Sequence, residues 1–405
     1  MKLKAKLRQF VPQERKNERK TKAGGINLDP FLKGKEVKTP FGTCYLIKNS
    51  FPLETKQGFA SLKNAFQVKN ASFKKILPRQ NIVFDLQNAI FLDTETTGLA
   101  GGTGTYAFLV GLGAFEGNAF TVTQYLMRDY NEEPAQLYLL NEEFAKADTI
   151  ISFNGRRFDV PLLQTRFAMA RAGFTNLQEQ GQLDLLQPAR RLWRHKLASC
   201  SLNSLERNLL GIKRVGDIAG FEIPQRYFEY LKTGRPHLLQ VIVEHNVIDI
   251  ISMVTLLYRI HLAGRQEPHT CFCPWEAEAL AQAALEMDNS GLALAFLNQA
   301  LLKCTNSAQK ERLLKETALL HKREQRYDAA VSLWYELLEV APHELSTYEE
   351  LAKYYEHRVK DFKEAKRLTN RALALGLQTR SKNVPALEHR LARLEKKLAR
   401  ETKLA

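Results

Sequence analysis

The sequence predicts an α/β domain with a mixed β-sheet, followed by an all-α domain of repeated helix pairs. Two observations lead to this prediction. Between residues 86 and 262, strand-like apolar segments first follow one another directly and then alternate with helical segments, as in a mixed sheet. Beyond residue 275 the strand signals stop and small residues recur at a spacing near 34, which is typical of stacked helix pairs.

The segments of the α/β domain can be assigned in order. Short apolar runs bounded by turn residues predict strands, and apolar residues three or four positions apart predict helices. The three strands of a meander are expected at 88–93, 106–113 and 120–127, then a helix at 132–147, a strand at 149–153, a helix from Pro161 to about 172, and helices at 201–210 and 237–262. Residues 182–186 fit either a strand or the start of a helix. Together these segments define a mixed-sheet domain over 86–262.

The regions outside this domain have their own signals. Residues 1–25 are polar and basic and are interpreted as a flexible arm. Residues 26–85 form an N-terminal extension in which the Pro40–Phe41–Gly42 turn predicts a β-hairpin over 34–47. Gly and Pro residues mark 263–275 as a linker.

The helical repeats are predicted over 276–376. Alanines recur there in two series, Ala284, Ala318 and Ala352, and Ala295, Ala330 and Ala365. Helix pairs at this period indicate a tetratricopeptide-like solenoid, while an ordinary helical bundle whose alanines coincide is the alternative. Residues 377–405 are expected to form a basic capping helix and tail.

Composition and charge exclude several classes of protein. With 44% apolar and 25% charged residues, the chain has a globular composition rather than a disordered or fibrous one. No apolar run is long enough for a membrane span, and the N-terminus lacks the apolar segment of a secretory signal. Five cysteines argue against a disulfide framework and favour a reducing, cytoplasmic location.

The positive charge is concentrated at the two ends. The chain has 59 Lys and Arg against 44 Asp and Glu, a net charge of +15. Residues 1–25 contribute +7 and residues 377–405 contribute +5. Basic ends suggest a polyanionic partner such as nucleic acid, although a solubilising tail has the same composition.

Three acidic segments carry the strongest chemical signal. Asp93 and Glu95 end a predicted strand and share one face of it, so their repulsion calls for a cation, and carboxylate oxygens suit Mg²⁺ or Mn²⁺. Asp159 follows the fourth strand, and His245 and Asp249 share one face of a helix. Taken singly, the first pair could belong to a helix cap or loop, Asp159 could be a helix cap, and His245 could be structural.

Taken together, these segments resemble a known family. Asp93 and Glu95 in FLDTETTGL, Asp159 in FNGRRFD and Asp249 in HNVID resemble the four acids of the DEDD 3′–5′ exonucleases, which have a ribonuclease-H-like fold. QLDLLQPARRLW, CSLNSLERNLLGI, GLAGGTGTYAFLVGLG and GDIAGFEIP extend the resemblance to the YprB-like subgroup, which carries C-terminal helical repeats.

The resemblance implies hydrolysis by two Mg²⁺ or Mn²⁺ ions held by the four acids, with His245 as general base. It also implies DNA rather than RNA as the substrate and a role in DNA repair. One feature departs from the family: His245 stands four residues before Asp249, which is the spacing of the tyrosine branch, whereas the histidine branch has five. This leaves the general base less certain than the metal ligands.

Other residues have secondary expected roles. Asp184 is interpreted as a supporting or structural acid. Thr96, Gly98 and Asn154 are expected to contact the substrate. The glycines from Gly98 to Gly104 form either a loop that approaches the terminal nucleotide or a flexible connection. Cys271 and Cys273 lack the second pair that a zinc site needs, which favours a structural role over zinc.

The leading function is therefore a metal-dependent exonuclease acting on nucleic acid. The alternative is a nucleic-acid-binding scaffold that acts through the helical repeats and has a weak or silent nuclease fold. An endonuclease using the same metals is a third possibility. The repeats are expected to bind either a protein partner or the nucleic acid, and no membrane partner is expected.

Overall fold

A computed structural model describes residues 28, 32–98, 104–170, 177 and 179–404. The chain divides into two compact units, Met1–Arg265 and Gln266–Ala405. The basic arm at 1–25, the glycines at 101 and 102, and residues 171–172 of a predicted helix lie outside the described residues.

The first unit is built on a seven-stranded mixed sheet. Its strands run in the spatial order β1-β2-β7-β6-β5-β8-β9. The strands of this sheet are β1 (Lys35–Thr39), β2 (Gly42–Pro52), β5 (Ala89–Thr96), β6 (Ala107–Glu116), β7 (Ala119–Leu126), β8 (Thr149–Ser152) and β9 (Gly181–Asp184). A separate two-stranded ribbon joins β3 (Lys56–Gln57) to β4 (Ala60–Ser61).

The pairing within the sheet is that of a ribonuclease-H-like fold. β5, β6 and β7 form an antiparallel meander, and β8 and β9 continue the sheet beyond β5 as parallel strands. The predicted mixed-sheet fold class is confirmed. The hairpin of β1 and β2 adds to the meander because β2 pairs antiparallel with β7.

Helices cover both faces of this sheet. The helices of the first unit are α1 (Asn70–Ile76), α2 (Glu133–Phe144), α3 (Asp159–Met169), α4 (Leu186–Trp193), α5 (Leu202–Leu205), α6 (Ile223–Thr233) and α7 (His237–Gly264). Strand residues supply both apolar layers: Ile90 and Leu92 join the core under α2 and α3, while Phe108 and Leu109 join the core under α6 and α7. A sheet covered on both sides is expected to be apolar on both faces.

The long helix α7 lies very close to the sheet. A side chain at Gly111 would come within 2.2 Å of the Asn246 side-chain oxygen, and one at Gly113 within 2.5 Å of Ile250. The two glycines of β6 therefore let the backbone approach α7. By length and composition, α7 is the one described helix that could cross a membrane, yet 61% of its apolar 18-residue segment is buried inside the protein.

Some boundaries differ from the sequence prediction. The helix predicted from Pro161 begins two residues earlier, at Asp159. The helix predicted over 201–210 is a four-residue α-helix followed by a π-helical turn, Glu206–Leu210. Residues 182–186, which fitted two states, divide between the end of β9 and the start of α4.

The second unit is all-helical. It contains α8 (Pro274–Glu286), α9 (Ser290–Lys303), α10 (Ser307–Arg323), α11 (Tyr327–Val340), α12 (Leu345–Tyr354), α13 (Phe362–Thr379) and α14 (Val384–Leu404). Contacts between successive pairs recur at a separation of 34 residues, as in Gln282 to Glu316 and Arg390 to Glu356. The buried alanines follow this period, except that Ala295 is exposed.

Candidate active site

Asp93 and Glu95 lie at the C-terminal end of β5, an interior strand of the sheet. The preceding residues, Ala89 to Leu92, are all buried, which fixes the strand in the core. The register of β5 against β6 shifts between Glu95 and Thr96, so the strand becomes irregular directly after the second acid. Because residues two apart on a strand face the same side, the two carboxylates project from one face.

Asp159 reaches the same strand end from a neighbouring element. It is the first residue of α3, after a tight turn that follows β8. A side chain at Gly155 would lie 2.6 Å from the Ser152 hydroxyl and 3.0 Å from the Asp159 carboxylate, so this turn requires glycine. The Thr94 hydroxyl of β5 donates a hydrogen bond to Asp159. This bond connects the strand directly to the start of α3.

The helix α7 contributes three polar side chains to the site. The Nε2 atom of His245 lies 3.7 Å from an Asp249 carboxylate oxygen, as expected for residues one turn apart. Between them, Asn246 donates from Nδ2 to the Asp93 carboxylate at 2.7 Å. Its Oδ1 accepts a 2.8 Å hydrogen bond from Gln124 of β7, and Asn246 is fully buried. α7 is thus tied to two strands at the level of the acids.

A buried arginine joins this group from the loop after the π-helical turn. Arg214 makes two 2.6 Å hydrogen bonds to Glu206, and it also donates to Asp249. Asp217 completes the cluster, 3.1 Å from Arg214 and 2.7 Å from Nδ1 of His245. Since a carboxylate only accepts, the contact with Asp217 places a proton on Nδ1 of the imidazole.

The acids repel one another strongly. Burial, and then the charges of Asp249, Glu95 and Asp159, raise the pKa of Asp93 well above its ordinary value. Burial and the charges of Asp249 and Asp159 raise the pKa of Glu95 in the same way. Burial raises the pKa of Asp159 to about 6 despite its bond from Thr94. The charges of the other three acids thus all act on Asp93.

Burial also raises the pKa of Asp249, although the charges of His245 and Arg214 oppose this effect. Asp217 shows the opposite shift. Burial acts to raise its pKa, but the hydrogen bond and charge of His245 and the charge of Arg214 outweigh burial and lower it. The positive groups of the cluster therefore lie nearest to Asp217 and Asp249.

The carboxylates suit a divalent cation in their chemistry. Oxygen donors at high negative charge density are those that Mg²⁺ and Mn²⁺ prefer. As they stand, however, no three His, Cys, Asp or Glu side chains within the described ranges are arranged to hold a metal ion. Asp93, Asp159 and Asp249 are each turned towards a hydrogen-bond donor of the protein, Asn246, Thr94 and Arg214 respectively.

The remaining sequence-predicted residues lie around this cluster. Asp184 accepts hydrogen bonds from the backbone N–H groups of Asn154 and Leu186, at 2.7 and 3.0 Å, and so fixes the turn that leads to Asp159. Asn154 has a positive φ of 66° within that turn. The Thr96 hydroxyl donates to the carbonyl of Gly98 at 2.8 Å.

Cys271 lies in the second unit and is buried. Its thiol contacts the carbonyl of Cys273 at 3.7 Å. Neither cysteine belongs to a group of three His, Cys, Asp or Glu side chains that could hold a metal ion in the described part of the chain.

Several residues of this site have no role predicted from the sequence. Asn246 adjoins His245 within the HNVID segment, so its place on the helix was a usable signal. Asp217 lies in GDIAGFEIP, a segment that had been noted without a role for this residue. Glu206 lies in CSLNSLERNLLGI, likewise without a role for this residue. Arg214 had no signal, because it contacts Asp249 across 35 residues of sequence and no periodic pattern connects the two.

Comparison with known proteins agrees with this geometry. A family model of the RNase_H superfamily matches residues 90–261, which run from β5 to near the end of α7. Over 361 residues the chain is 32% identical to the uncharacterised protein YprB of Bacillus subtilis (strain 168), a match that covers 87% of this chain and 86% of that protein.

Proposed function

Since the chain belongs to the RNase_H superfamily and to the same family as YprB, we propose that it is a metal-dependent 3′–5′ exonuclease. The favoured substrate is DNA, with a role in DNA repair. The observation that supports this most is the meeting of Asp93, Glu95, Asp159 and Asp249 beside His245. Four mutually repelling acids are costly to keep in a fold, and a bound cation offsets that cost.

Each residue of the site has its own role in the proposed hydrolysis. Asp93, Glu95, Asp159 and Asp249 would hold two Mg²⁺ or Mn²⁺ ions. Such ions stabilise charge on the phosphate and make bound water more acidic. Asp217 holds the His245 ring through Nδ1, so that Nε2 faces Asp249 and can accept the proton of the attacking water. Asn246 fixes the orientation of Asp93, and Asp184 fixes the turn before Asp159.

Digestion of labelled nucleic acids tests this proposal. The purified protein is incubated with 5′-labelled single- and double-stranded DNA and RNA, in Mg²⁺, Mn²⁺ or EDTA. We expect a ladder that shortens from the 3′ end, requires the metal and is lost in Asp93→Asn. Asp148→Asn is the matched control, because Asp148 is exposed and immediately precedes β8, at the opposite end of that strand from the acids.

Three other outcomes would contradict the proposal. Cleavage of a circular single strand would indicate an endonuclease. Binding of nucleic acid without cleavage of any substrate would favour the scaffold that acts through the helical repeats. A ladder of equal intensity in EDTA, or in Asp93→Asn, would show that these acids do not hold the required metal.

A further inference from the structure

The guanidinium group of Arg214 connects the acid cluster to a second buried carboxylate. The Arg214 side chain is 5% exposed, and its Nε and Nη2 atoms each donate a 2.6 Å hydrogen bond to Glu206, which is fully buried. Nη2 also donates to Asp249, and Nη1 lies 3.1 Å from Asp217. One positive charge is therefore shared by three carboxylates, and one of them belongs to a proposed metal ligand.

Glu206 is held in place by contacts that do not involve Arg214. It begins the π-helical turn that ends at Leu210, and the Leu210 carbonyl accepts a 2.9 Å hydrogen bond from the Phe59 N–H of the β3–β4 ribbon. Gly58 of the same ribbon lies so close that a side chain there would come within 2.0 Å of this carbonyl oxygen. The ribbon and the turn thus fix Glu206, and Glu206 keeps the guanidinium beside the acids.

Arg214 and a divalent cation act on the same carboxylate. The donors that face Asp93 and Asp159 are a neutral amide and a neutral hydroxyl, whereas the donor that faces Asp249 carries a full charge. This charge opposes the rise in the pKa of Asp249, so it offsets part of the local negative potential. A cation bound at Asp249 would lose that part of its attraction and would also be repelled by the guanidinium.

Asp249 does not need Arg214 to fix its backbone. It lies near the middle of α7, a 28-residue helix that packs on the sheet. If Arg214 only oriented the Asp249 carboxylate, its removal would weaken the binding of a metal ion, as for other groups that orient metal ligands. Competition predicts the reverse, so the sign of the change in metal affinity separates the two roles.

We propose that Arg214 is a positioning residue that competes with the metal ions for Asp249, and that Glu206 sets the strength of this competition by holding the guanidinium. The acids would then be loaded only at higher concentrations of free Mg²⁺ or Mn²⁺ than they would require without Arg214. The proposal rests on the proposed function, because it assumes that Asp249 is a metal ligand.

Mn²⁺ binding by the full chain, without nucleic acid, tests this competition. Free Mn²⁺ is followed by electron paramagnetic resonance while the metal is titrated into the wild type, Arg214→Gln and the double variant Glu206→Gln/Arg214→Gln. We expect the dissociation constant for Mn²⁺ to fall by about tenfold or more in both variants, because a unit charge beside the metal is removed. The double variant guards against misfolding, since it does not leave Glu206 buried as an unpaired charge.

Arg166→Gln is the matched control. Arg166 is buried and makes the same kind of paired hydrogen bond, with Nε and Nη2 donating to Glu133 at 2.5 and 2.6 Å. It lies about two turns beyond Asp159 on α3, which is about 10 Å along the helix. A charge at that distance is largely screened at physiological salt, so Mn²⁺ binding should change by less than about twofold.

Two further variants separate charge from geometry. Arg214→Lys keeps the positive charge but not the paired hydrogen bonds to Glu206, so it should bind Mn²⁺ within about threefold of the wild type. Glu206→Gln leaves the guanidinium with fewer carboxylates to share. Arg214 should then hold Asp249 more firmly, and Mn²⁺ binding should weaken by about threefold or more. A purely structural role of Arg214 predicts no such opposite shifts.

Four results would overturn the competition. These are unchanged or weaker Mn²⁺ binding in Arg214→Gln and the double variant, a gain in Arg214→Lys equal to that in Arg214→Gln, unchanged or tighter binding in Glu206→Gln, or an equal gain in Arg166→Gln.

Digestion separates this proposal from the exonuclease. Hydrolysis by the wild type, without any gain in Mn²⁺ affinity in Arg214→Gln, refutes the competition alone. Tighter Mn²⁺ binding in Arg214→Gln, without hydrolysis by the wild type, refutes the exonuclease alone. If none of these proteins bound Mn²⁺ at millimolar concentrations, both proposals would be refuted.

Discussion

At the scale of single residues, Asn246 connects the acid-bearing strand to the long helix. Its Nδ2 group donates to the carboxylate of Asp93 at 2.7 Å and to the Asp93 carbonyl at 3.3 Å, while its Oδ1 accepts from Gln124. The side chain is fully buried and opposes Gly111 of β6. It therefore sets both the orientation of Asp93 and the distance between α7 and the sheet.

Replacing this side chain should affect stability and activity together. Asn246→Ala removes one of the two acceptors of Gln124 and the amide that donates to Asp93, at a buried position, which should lower the free energy of unfolding by about 1–3 kcal/mol. Freeing Asp93 should also reduce hydrolysis by about tenfold or more, as for other residues that orient metal ligands. Urea denaturation and the digestion assay measure the two effects.

Asn88→Ala is the control for this change, because Asn88 is exposed in the loop before β5. An Asn246→Ala protein as stable and as active as the control would show that Asp93 is oriented by other contacts.

Some residues of this site could be identified from the sequence and others could not. Asp93, Glu95, Asp159 and Asp249 were identified because they stand in three short motifs that together resemble a known family. Arg214 could not be found in this way, because its role depends on how the loop after the π-helical turn folds back onto α7. Residues that come into contact only in the folded tertiary structure leave no local pattern in the sequence.

At the scale of elements, one glutamate attaches the last helix to the repeats. Glu356 follows α12 in a π-helical turn and is fully buried. It accepts hydrogen bonds from three basic residues of α14, Arg390 at 2.6 Å, Arg393 at 2.8 Å and Lys397 at 2.9 Å. Burial acts to raise the pKa of Glu356, but the hydrogen bonds from Arg393 and Lys397 outweigh burial and lower it to about 2.

This shift predicts a pH-dependent contribution to stability. Because the pKa in the folded state lies below the ordinary value of 4.5, the contribution is complete above about pH 4.5 and is lost as the pH falls towards 2. Glu356→Gln should therefore destabilise the second unit by about 3 kcal/mol at pH 7. The deficit relative to the wild type should shrink steadily below pH 4.5, in thermal unfolding of the full chain.

A surface ion pair provides the comparison. Glu395 pairs with Lys366 at 2.9 Å and is 53% exposed, so Glu395→Gln should change stability by less than about 1 kcal/mol. If Glu356→Gln were no more destabilising than Glu395→Gln, or if its deficit did not depend on pH, α14 would be held by its apolar contacts instead.

The elements themselves were unequally predictable. β5 to β8 were found from sequence because each is an apolar run with clear turn residues at its ends. The helices α1, α4 and α6 were not assigned. α1 and α4 are short, whereas α6 buries Ile223, Tyr227 and Tyr230 at helical spacing, which was a usable signal. In the second unit, side-chain contacts do recur at the predicted separation of 34 residues, yet Ala295 is exposed because α9 buries Ala293, Leu294 and Phe296 instead.

At the scale of the whole molecule, the excess positive charge and the acid cluster are separated along the chain. The acid cluster lies in the first unit, while residues 1–25 and 377–405 contain most of the excess of 59 basic over 44 acidic residues. A net charge of +15 attracts a polyanion at long range, and this attraction is screened by salt. The ends are therefore expected to affect how fast and how tightly nucleic acid is bound, rather than the chemistry at the acids.

Deletion of residues 1–25 tests this expectation. The deletion removes nine Lys and Arg and two Glu, so single-strand affinity at 50 mM salt should fall by about tenfold or more. The difference in affinity from the full chain should shrink as the salt concentration rises. The deleted chain releases fewer counterions on binding, so its affinity falls less steeply with salt than that of the full chain. A chain whose first 25 residues are scrambled keeps the charge and should bind like the wild type in anisotropy titrations. Equal loss in the scrambled and deleted chains would show that the order of these residues, and not their charge, is recognised.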